Sequence, residues 1–151
     1  MRRRRAGTVI ACDEDLRDRQ TMQTRAAAPD GYHTLTPRMV VSDVAGAVQF
    51  LRSTFDATGD IPEGRPAEIG IGDSLVIVSP AGERELFPAL LYVYVADADD
   101  SYRRAVAAGA ETLEAPLDTP YGDRRAMVRD PYGNVFQIAH RVATHAADPH
   151  L

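Results

Sequence analysis

Apolar positions in the first half of the chain change from an alternating to a helical period. Residues 35–41 form a strand-like run, and from Val44 to Phe55 the apolar residues recur at i, i+3, i+4 and i+7. Ser42 or Asp43 is a suitable N-cap for that helix. Two short strands follow at 67–71 and 75–79, joined as a hairpin at Gly72-Asp73.

The second half repeats this plan. Residues 90–95 predict a strand, residues 98–108 a helix that ends at Gly109, and residues 111–115, 125–129 and 135–140 three more strands, with a loop at 117–123. Val41-Ser42-Asp43 matches Val95-Ala96-Asp97 at an offset of 54 residues. The sequence therefore predicts an α+β fold of two tandem βαβββ modules.

Three segments carry a family resemblance. They are TP and VVSD within residues 36–43, YVAD at 94–97, and YGDR and VRDPYGN within residues 121–134. They resemble the glyoxalase/bleomycin-resistance/extradiol-dioxygenase (vicinal oxygen chelate) superfamily, and most closely its PhnB-like branch. The resemblance covers about residues 33–141 and implies curved mixed sheets around a concave pocket, in a homodimer.

The resemblance also implies four metal-ligand positions, which metalloenzymes of the superfamily fill with His, Gln or Glu. These positions correspond to Thr36, Ile77, Leu90 and Gln137. Threonine and glutamine are weak neutral donors, and leucine and isoleucine have no donor atom, whereas such sites require imidazole or carboxylate. We therefore expect neither a metal ion nor another cofactor.

Strand alternation sorts the remaining candidates by face. On the pocket side it places Thr36, Arg38, Leu75, Ile77, Leu90, Tyr92, Tyr94 and Gln137, and on the opposite side a uniformly apolar set suited to packing against helices. An apolar cavity with a few polar groups is the usual lining of a small-molecule site. The alternative is a partly solvated face on which Tyr92 and Tyr94 only pack against each other.

Arg38 and the long loop add two specific expectations. A guanidinium on a central strand must be paired or bind an anion, because burying it alone is very costly. If Arg38 is paired with an Asp or Glu, its role is structural; if it has no such partner, it is a candidate clamp for an anionic ligand. Tyr121 and Arg124 in the loop are placed to close over the pocket mouth; the alternatives for this loop are a dimer contact or solvent exposure.

Composition and charge exclude several classes of function. The 151 residues carry a net charge of −5 and no apolar run approaching the ~20 residues of a membrane span, so neither nucleic acid nor membrane is the expected partner. One cysteine, Cys12, argues against a disulfide framework and for the cytoplasm. Residues 1–31 are interpreted as a disordered extension, 32–141 as the domain and 142–151 as a tail. A solvated C-terminus explains the cluster of His140, His145 and His150 better than a metal site does.

We expect a metal-free protein that binds a hydrophobic or aromatic small molecule, as drug-resistance members of the resembled family are thought to do. The acidic chain also suits cationic compounds. One alternative is a metal-independent lyase, isomerase or cyclase that uses Arg38 and the pocket tyrosines. Another is a dimeric structural protein with a decayed pocket.

Overall fold

The computed structural model describes residue 17 and residues 27–142, in which nine helices and strands are defined. They are β1 (Arg38–Val41), α1 (Val44–Phe55), β2 (Ala67–Ile71), β3 (Ser74–Pro80), β4 (Leu90–Tyr94), α2 (Ala98–Ala107), β5 (Glu111–Asp118), β6 (Asp123–Arg129) and β7 (Val135–Arg141). The α+β fold and the two-module plan predicted from the sequence are confirmed.

The chain divides into two compact units, residues 1–35 and 36–151. In the described part of the first unit, the amide of Tyr32 donates to the carbonyl of Pro29 at 3.0 Å in a turn. The expected disordered extension lies outside the described residues except for 17 and 27–31, and so does the expected tail beyond Val142.

The first module forms a three-stranded sheet in the order β1-β3-β2. β1 runs parallel to β3, and β2 and β3 form an antiparallel hairpin in which Ile71 pairs with Ser74. Gly72 at the turn has φ +57°, a left-handed conformation that glycine adopts without strain. A third strand after α1, which the βαβββ plan predicts, is reduced to a single bridge between Thr58 and Gly70.

The second module forms a four-stranded sheet in the order β4-β7-β6-β5. β4 runs parallel to β7, and β6 is antiparallel to both β7 and β5. The β5–β6 register shifts twice, on either side of Glu114. β5 continues to Asp118, so the connection to β6 is shorter than the loop predicted over 117–123.

The two modules share one core. Phe136 on β7 is fully buried, with its ring centroid 5.7 Å from that of Phe50 and 5.4 Å from that of Phe55, both on α1. The helices are also joined by Arg104 of α2, which donates to the carbonyl of Ser53 and to both carboxylate oxygens of Asp56. The modules are therefore packed as one domain.

Local signals in the sequence account for the helix ends. Asp43 is the N-cap of α1, and its carboxylate accepts from the amide of Gly46 at 3.0 Å. Asp97 plays the same part for α2, and Gly109 follows that helix with φ +100°. No helix in the described part of the chain has the length and apolar character needed to cross a bilayer.

Candidate functional site

Each sheet has one covered and one open face. The covered faces carry side chains that are at most 3 % exposed: Met39, Val41, Val76, Val78, Phe136 and Ile138. All of them belong to the set that strand alternation assigned to the helix side, so that assignment is confirmed for them. The open faces carry the candidate ligand-binding side chains.

Two tyrosines form an aromatic platform on the open face of the second sheet. Tyr92 and Tyr94 occupy alternate positions of the edge strand β4 and therefore project to the same side. Their ring centroids lie 5.2 Å apart, and the side chains are 38 % and 60 % exposed. Their cross-strand neighbours on β7 are Gln137 and Ala139.

One buried carboxylate holds both tyrosine hydroxyls. Tyr92 and Tyr94 each donate to Asp123 Oδ2, at 2.7 and 2.9 Å, and Asp123 is only 1 % exposed at the start of β6. Its Oδ1 lies 3.1 Å from Arg141 Nε, an ion pair without the geometry of a hydrogen bond. Because both rings are tethered to one fixed group, the platform is oriented before any ligand arrives.

The charges beside the platform are paired. Arg125 donates to Glu114 Oε1 at 3.2 and 2.6 Å and to the Tyr121 hydroxyl at 2.8 Å. Asp123 is paired with Arg141 as described above. The open face around the tyrosines therefore offers aromatic rings with no unpaired charge among these groups.

A pocket of about 270 Å³ opens between the edge of β4 and the β2–β3 hairpin. Its lining includes Pro37, Ile71, Leu75, Leu91, Tyr92 and Tyr94, and we call it the tyrosine pocket. An engineered apolar cavity of about 150 Å³ accepts benzene. The volume therefore suits a compound of one or two rings.

The tethering carboxylate changes the acidity of the platform. Burial and the hydrogen bond to Asp123 raise the pKa of Tyr92 well above that of free tyrosine, and the pKa of Tyr94 is raised mainly by its own hydrogen bond to Asp123. Burial opposes ionisation of Asp123, but the hydrogen bonds from both tyrosines and the nearby arginines outweigh it and lower its pKa. Both phenols stay protonated at neutral pH.

We expect Asp123→Asn to lower the pKa of Tyr92 and Tyr94, because the charge that disfavours tyrosinate is removed. In an ultraviolet titration of tyrosinate, Tyr92 and Tyr94 of the folded wild-type protein should ionise at a higher pH than the tyrosines of the unfolded chain, which titrate at about pH 10. The raised pKa values stabilise the fold below that pH, and this contribution is lost as the pH rises through the native values.

Tyr132 is the internal control for this titration. Burial raises its pKa as well, but Asp123 is not among the causes, so its ionisation should not move in the Asp123→Asn variant. An unchanged titration curve in the variant would contradict the tethered platform.

Arg38 lies on the open face of the first sheet, paired across the strands with Ile77. Arg38 is exposed, and among the residues that the structure describes its guanidinium has no hydrogen-bond or ion-pair partner, so it is available to a ligand without a cost of burial to explain. Arg38 lines a separate cleft of about 740 Å³ to which none of the tyrosines contributes. Thr36 precedes β1 and has an interaction partner of its own.

The structure brings some predicted site residues together and separates others. Leu75, Tyr92 and Tyr94 line one pocket, and Tyr121 is joined to the platform side through Arg125. Gln137 lies beside Tyr92 in the register, and Leu90 is 66 % exposed at the start of β4.

Arg124 does not lie in a loop above the pocket, as the sequence analysis expected. It is the second residue of β6, where side chains alternate between faces, and its neighbours in the strand face the platform side. Its guanidinium donates to Asp99 at 3.0 Å twice and to Asp118 at 3.3 Å. Arg124 thus ties β6 to α2.

The positions that align with metal ligands do not fit a divalent ion. Thr36, Ile77, Leu90 and Gln137 provide at most two neutral oxygens, whereas catalytic metal sites take imidazole or carboxylate. Across residue 17 and residues 27–142, no three His, Cys, Asp or Glu side chains converge on a possible metal position.

His140 is not in a solvated tail. It is half-buried on β7, and its Nδ1 accepts a hydrogen bond of 2.7 Å from the amide of Ala98 at the start of α2. The expectation was wrong because β7 lies beside the start of α2, where the imidazole of His140 accepts from a backbone amide instead of facing solvent. His145 and His150 lie outside the described residues.

Sequence reasoning missed Asp123, Arg125, Arg141 and Glu114. The sequence did contain a signal. Between residues 123 and 128, one set of alternate positions holds Asp123, Arg125 and Met127 and the other set includes the apolar Ala126 and Val128, a pattern typical of a half-buried strand. Treating Asp123 as the end of a loop hid this alternation.

A family model described as the Glyoxalase/Bleomycin resistance protein/Dioxygenase superfamily matches residues 31–138. An uncharacterised protein of Mycobacterium tuberculosis is 30% identical over 126 residues, covering 72% of this chain and 74% of that protein. A related protein of Mycobacterium bovis has the same identity and is covered to 83%.

Solved structures show the same fold. TioX from Micromonospora sp. ML1 has a TM-score of 0.63 and 24% identity, covering 71% of this chain and 97% of that one. A glyoxalase/bleomycin resistance protein/dioxygenase family enzyme from Burkholderia phytofirmans has a TM-score of 0.62 and 23% identity, covering 72% and 97%.

Proposed function

This chain belongs to the glyoxalase/bleomycin resistance protein/dioxygenase superfamily, and within it we propose a metal-free protein that binds a hydrophobic or aromatic small molecule. The observation that carries the proposal is the tethered pair of Tyr92 and Tyr94 beside the tyrosine pocket. Their rings are exposed, while their hydroxyls are held by a buried carboxylate.

Tyr92 and Tyr94 are suited to bind a ligand by stacking on its rings and not by pairing with a charge on it. Aromatic pairs gain about 0.5–1.5 kcal/mol beyond the area that they bury, and a ring that is already oriented loses little conformational entropy on binding. The charged residue in the pocket lining is Asp73, and the nearby Arg125 and Arg141 are each paired with a carboxylate, so none of these groups demands an anionic ligand. We therefore propose that the bound part of the ligand is an uncharged aromatic group.

The chemistry of the aligned ligand positions supports the metal-free part of the proposal. Leu90 and Ile77 have no donor atoms, and Gln137 stands beside Tyr92 on the open face. The turn Arg129–Asn134 is the basis for proposing the PhnB-like branch, and the single cysteine for proposing the cytoplasm.

The enzyme alternative is less well supported. It requires Arg38 and the pocket tyrosines to act on one substrate, yet they line different clefts in the described part of the chain. Turnover of a bound compound that is lost in Arg38→Gln would favour this alternative over simple binding.

A homodimer is the proposed assembly. Leu86, Phe87 and Leu90 are 56 %, 71 % and 66 % exposed within five residues of chain beside the edge strand β4. A second copy covering this segment would remove apolar surface from water. Light scattering of the purified protein would distinguish a dimer from a monomer.

We expect Tyr94→Leu to weaken binding of a neutral aromatic probe, N-phenyl-1-naphthylamine, by roughly two- to tenfold, as the loss of one stacked ring predicts. Tyr94→Phe keeps the ring and should retain most of the affinity. The measurement is the rise in probe fluorescence on titration with protein, which is free of background from tryptophan because the chain has none.

Tyr102→Leu is the matched control, because Tyr102 lies on α2 and bonds Thr112 rather than Asp123. Thermal unfolding of each variant confirms that it is folded. Equal affinity in Tyr94→Leu and Tyr102→Leu would overturn the proposed platform.

A further inference from the structure

The large cleft of the first module differs in chemistry from the tyrosine pocket. It has a volume of about 740 Å³ and is built from the β1–α1 junction, the loop before β2 and the segment after β3. We call it the arginine cleft, after Arg38, Arg65 and Arg84 in its lining.

These three arginines are distinct from the others in the described residues. Arg52, Arg103, Arg104, Arg124, Arg125, Arg129 and Arg141 each have a hydrogen bond or an ion pair, and Arg17 has a partner as well. Within residue 17 and residues 27–142, the guanidiniums without one are those of Arg38, Arg65 and Arg84. All three are exposed and line one cleft.

A buried hydroxyl in the same lining also lacks a partner. Ser79 is 6 % exposed on β3, opposite Val40, and its Oγ makes no hydrogen bond to any described residue. A buried polar group left unpaired costs free energy. Ser79 lines the cleft, so a ligand oxygen that reached its Oγ would satisfy it.

Two carboxylates border the cleft and limit its positive charge. Asp43 caps α1, and its Oδ1 is engaged by the amide of Gly46. Glu83 follows β3 and has no partner among the described residues. Three guanidiniums against two carboxylates leave the lining with a net positive charge on a chain whose overall charge is −5.

Prolines restrict part of the backbone that lines the cleft. Pro62 and Pro66 restrict the loop before β2, and Pro80 ends β3. A lining with few accessible conformations loses little entropy on binding.

From this arrangement we propose that the arginine cleft is a binding site for a small organic oxyanion, a carboxylate or phosphate group on a compact carbon skeleton. Guanidinium binds both groups through paired hydrogen bonds. The volume lies in the range of small-molecule sites, roughly 300–1,000 Å³, which is more than a bare ion needs. The site is independent of the tyrosine pocket.

The test is isothermal titration calorimetry of the full chain with phenyl phosphate, benzoate and the neutral benzyl alcohol. We expect at least one of the two anions to bind and benzyl alcohol not to bind, and the tighter anion identifies the oxyanion class. Arg38→Gln, Arg65→Gln and Arg84→Gln should each weaken that anion by about fivefold or more, and Glu83→Gln should tighten it.

Arg103→Gln is the control for net charge, since Arg103 is an exposed helical arginine outside the cleft. It should change the affinity by less than about twofold. An equal loss in Arg103→Gln and Arg38→Gln would overturn the proposal, and so would binding of benzyl alcohol as tight as that of the anions, or no binding of either anion.

Ser79→Ala separates a ligand contact from a structural role. Because the hydroxyl has no partner, its removal should leave the melting temperature unchanged or raise it, while the anion binds more weakly. Thr54→Val also removes a buried unpartnered hydroxyl, but outside this cleft, and should leave the affinity unchanged. Full affinity in Ser79→Ala would contradict its part in the site.

Binding of N-phenyl-1-naphthylamine in the tyrosine pocket should not respond to the arginine variants. Failure of the proposed anion site can therefore be recognised separately from failure of the proposed tyrosine platform.

Discussion

Phe136→Ala should lower the free energy of unfolding by about 3–5 kcal/mol, the range for removing a buried aromatic ring. Phe136 is fully buried and contacts Phe50 and Phe55 across the boundary between the two modules. The cavity would therefore open where the second sheet meets the first helix. Urea unfolding followed by circular dichroism measures the change.

Two further variants test the interpretation. Phe136→Leu keeps most of the apolar volume and should lose less stability than Phe136→Ala. Val106→Ala removes methyl groups from a side chain that is 42 % exposed and should change the free energy by less than about 0.5 kcal/mol. A loss below about 1 kcal/mol in Phe136→Ala would show that the modules do not depend on this contact.

Asn134→Ala should destabilise the fold by about 2–6 kcal/mol, because it removes two buried hydrogen bonds, each worth about 1–3 kcal/mol when its partner is left unpaired. Asn134 is fully buried, its Oδ1 accepts from the amide of Ala89 at 3.0 Å, and its Nδ2 donates to Asp130 Oδ2 at 2.9 Å. It joins the Asp130 turn to the segment that leads into β4.

Asn134→Asp gives the same site a pH dependence. Burial already raises the pKa of Asp130 despite its hydrogen bonds from Asn134, Tyr132 and Gly133, and a second carboxylate in place of the amide would raise it further. A raised native pKa favours the folded state at low pH, and this contribution is lost as the pH rises through it. The variant should therefore be less destabilised at about pH 4 than at about pH 7.

The control is Gln137→Ala on β7, the strand that follows Asn134; its side-chain amide has no hydrogen-bond partner among the described residues. We expect it to cost less than about 1 kcal/mol. Unfolding curves of Asn134→Asp that are equally shifted at both pH values would contradict the buried contact between the two carboxyl groups.

The fold could be predicted because its signals are local. The helical period after Asp43, the turn at Gly72 and the stop at Gly109 each depend on a few neighbouring residues, and each appears in the structure. The missing strand after α1 could not be predicted, since the pairing of Thr58 with Gly70 depends on how the first sheet closes.

The candidate site could be predicted only in part. Alternation placed Tyr92 and Tyr94 on the open face, but their tether to Asp123 depends on the register of three strands. Arg124 shows how sensitive such reasoning is. The predicted strand began at residue 125, whereas β6 begins at Asp123, so alternation along the predicted strand could not assign Arg124 to a face of the sheet. Arg65 and Arg84 lie in loops, whose course in space no local period reveals.

The two register shifts in β5 make this edge of the second sheet a poor template for a strand of another chain. β5 is the outer strand of the second sheet, and an outer strand with evenly spaced amides is a template for amyloid-like growth. Irregular spacing around Glu114 interrupts that template, and the carboxylate between the shifts is still held by Arg125. This backbone geometry disfavours fibril growth along this edge of the sheet.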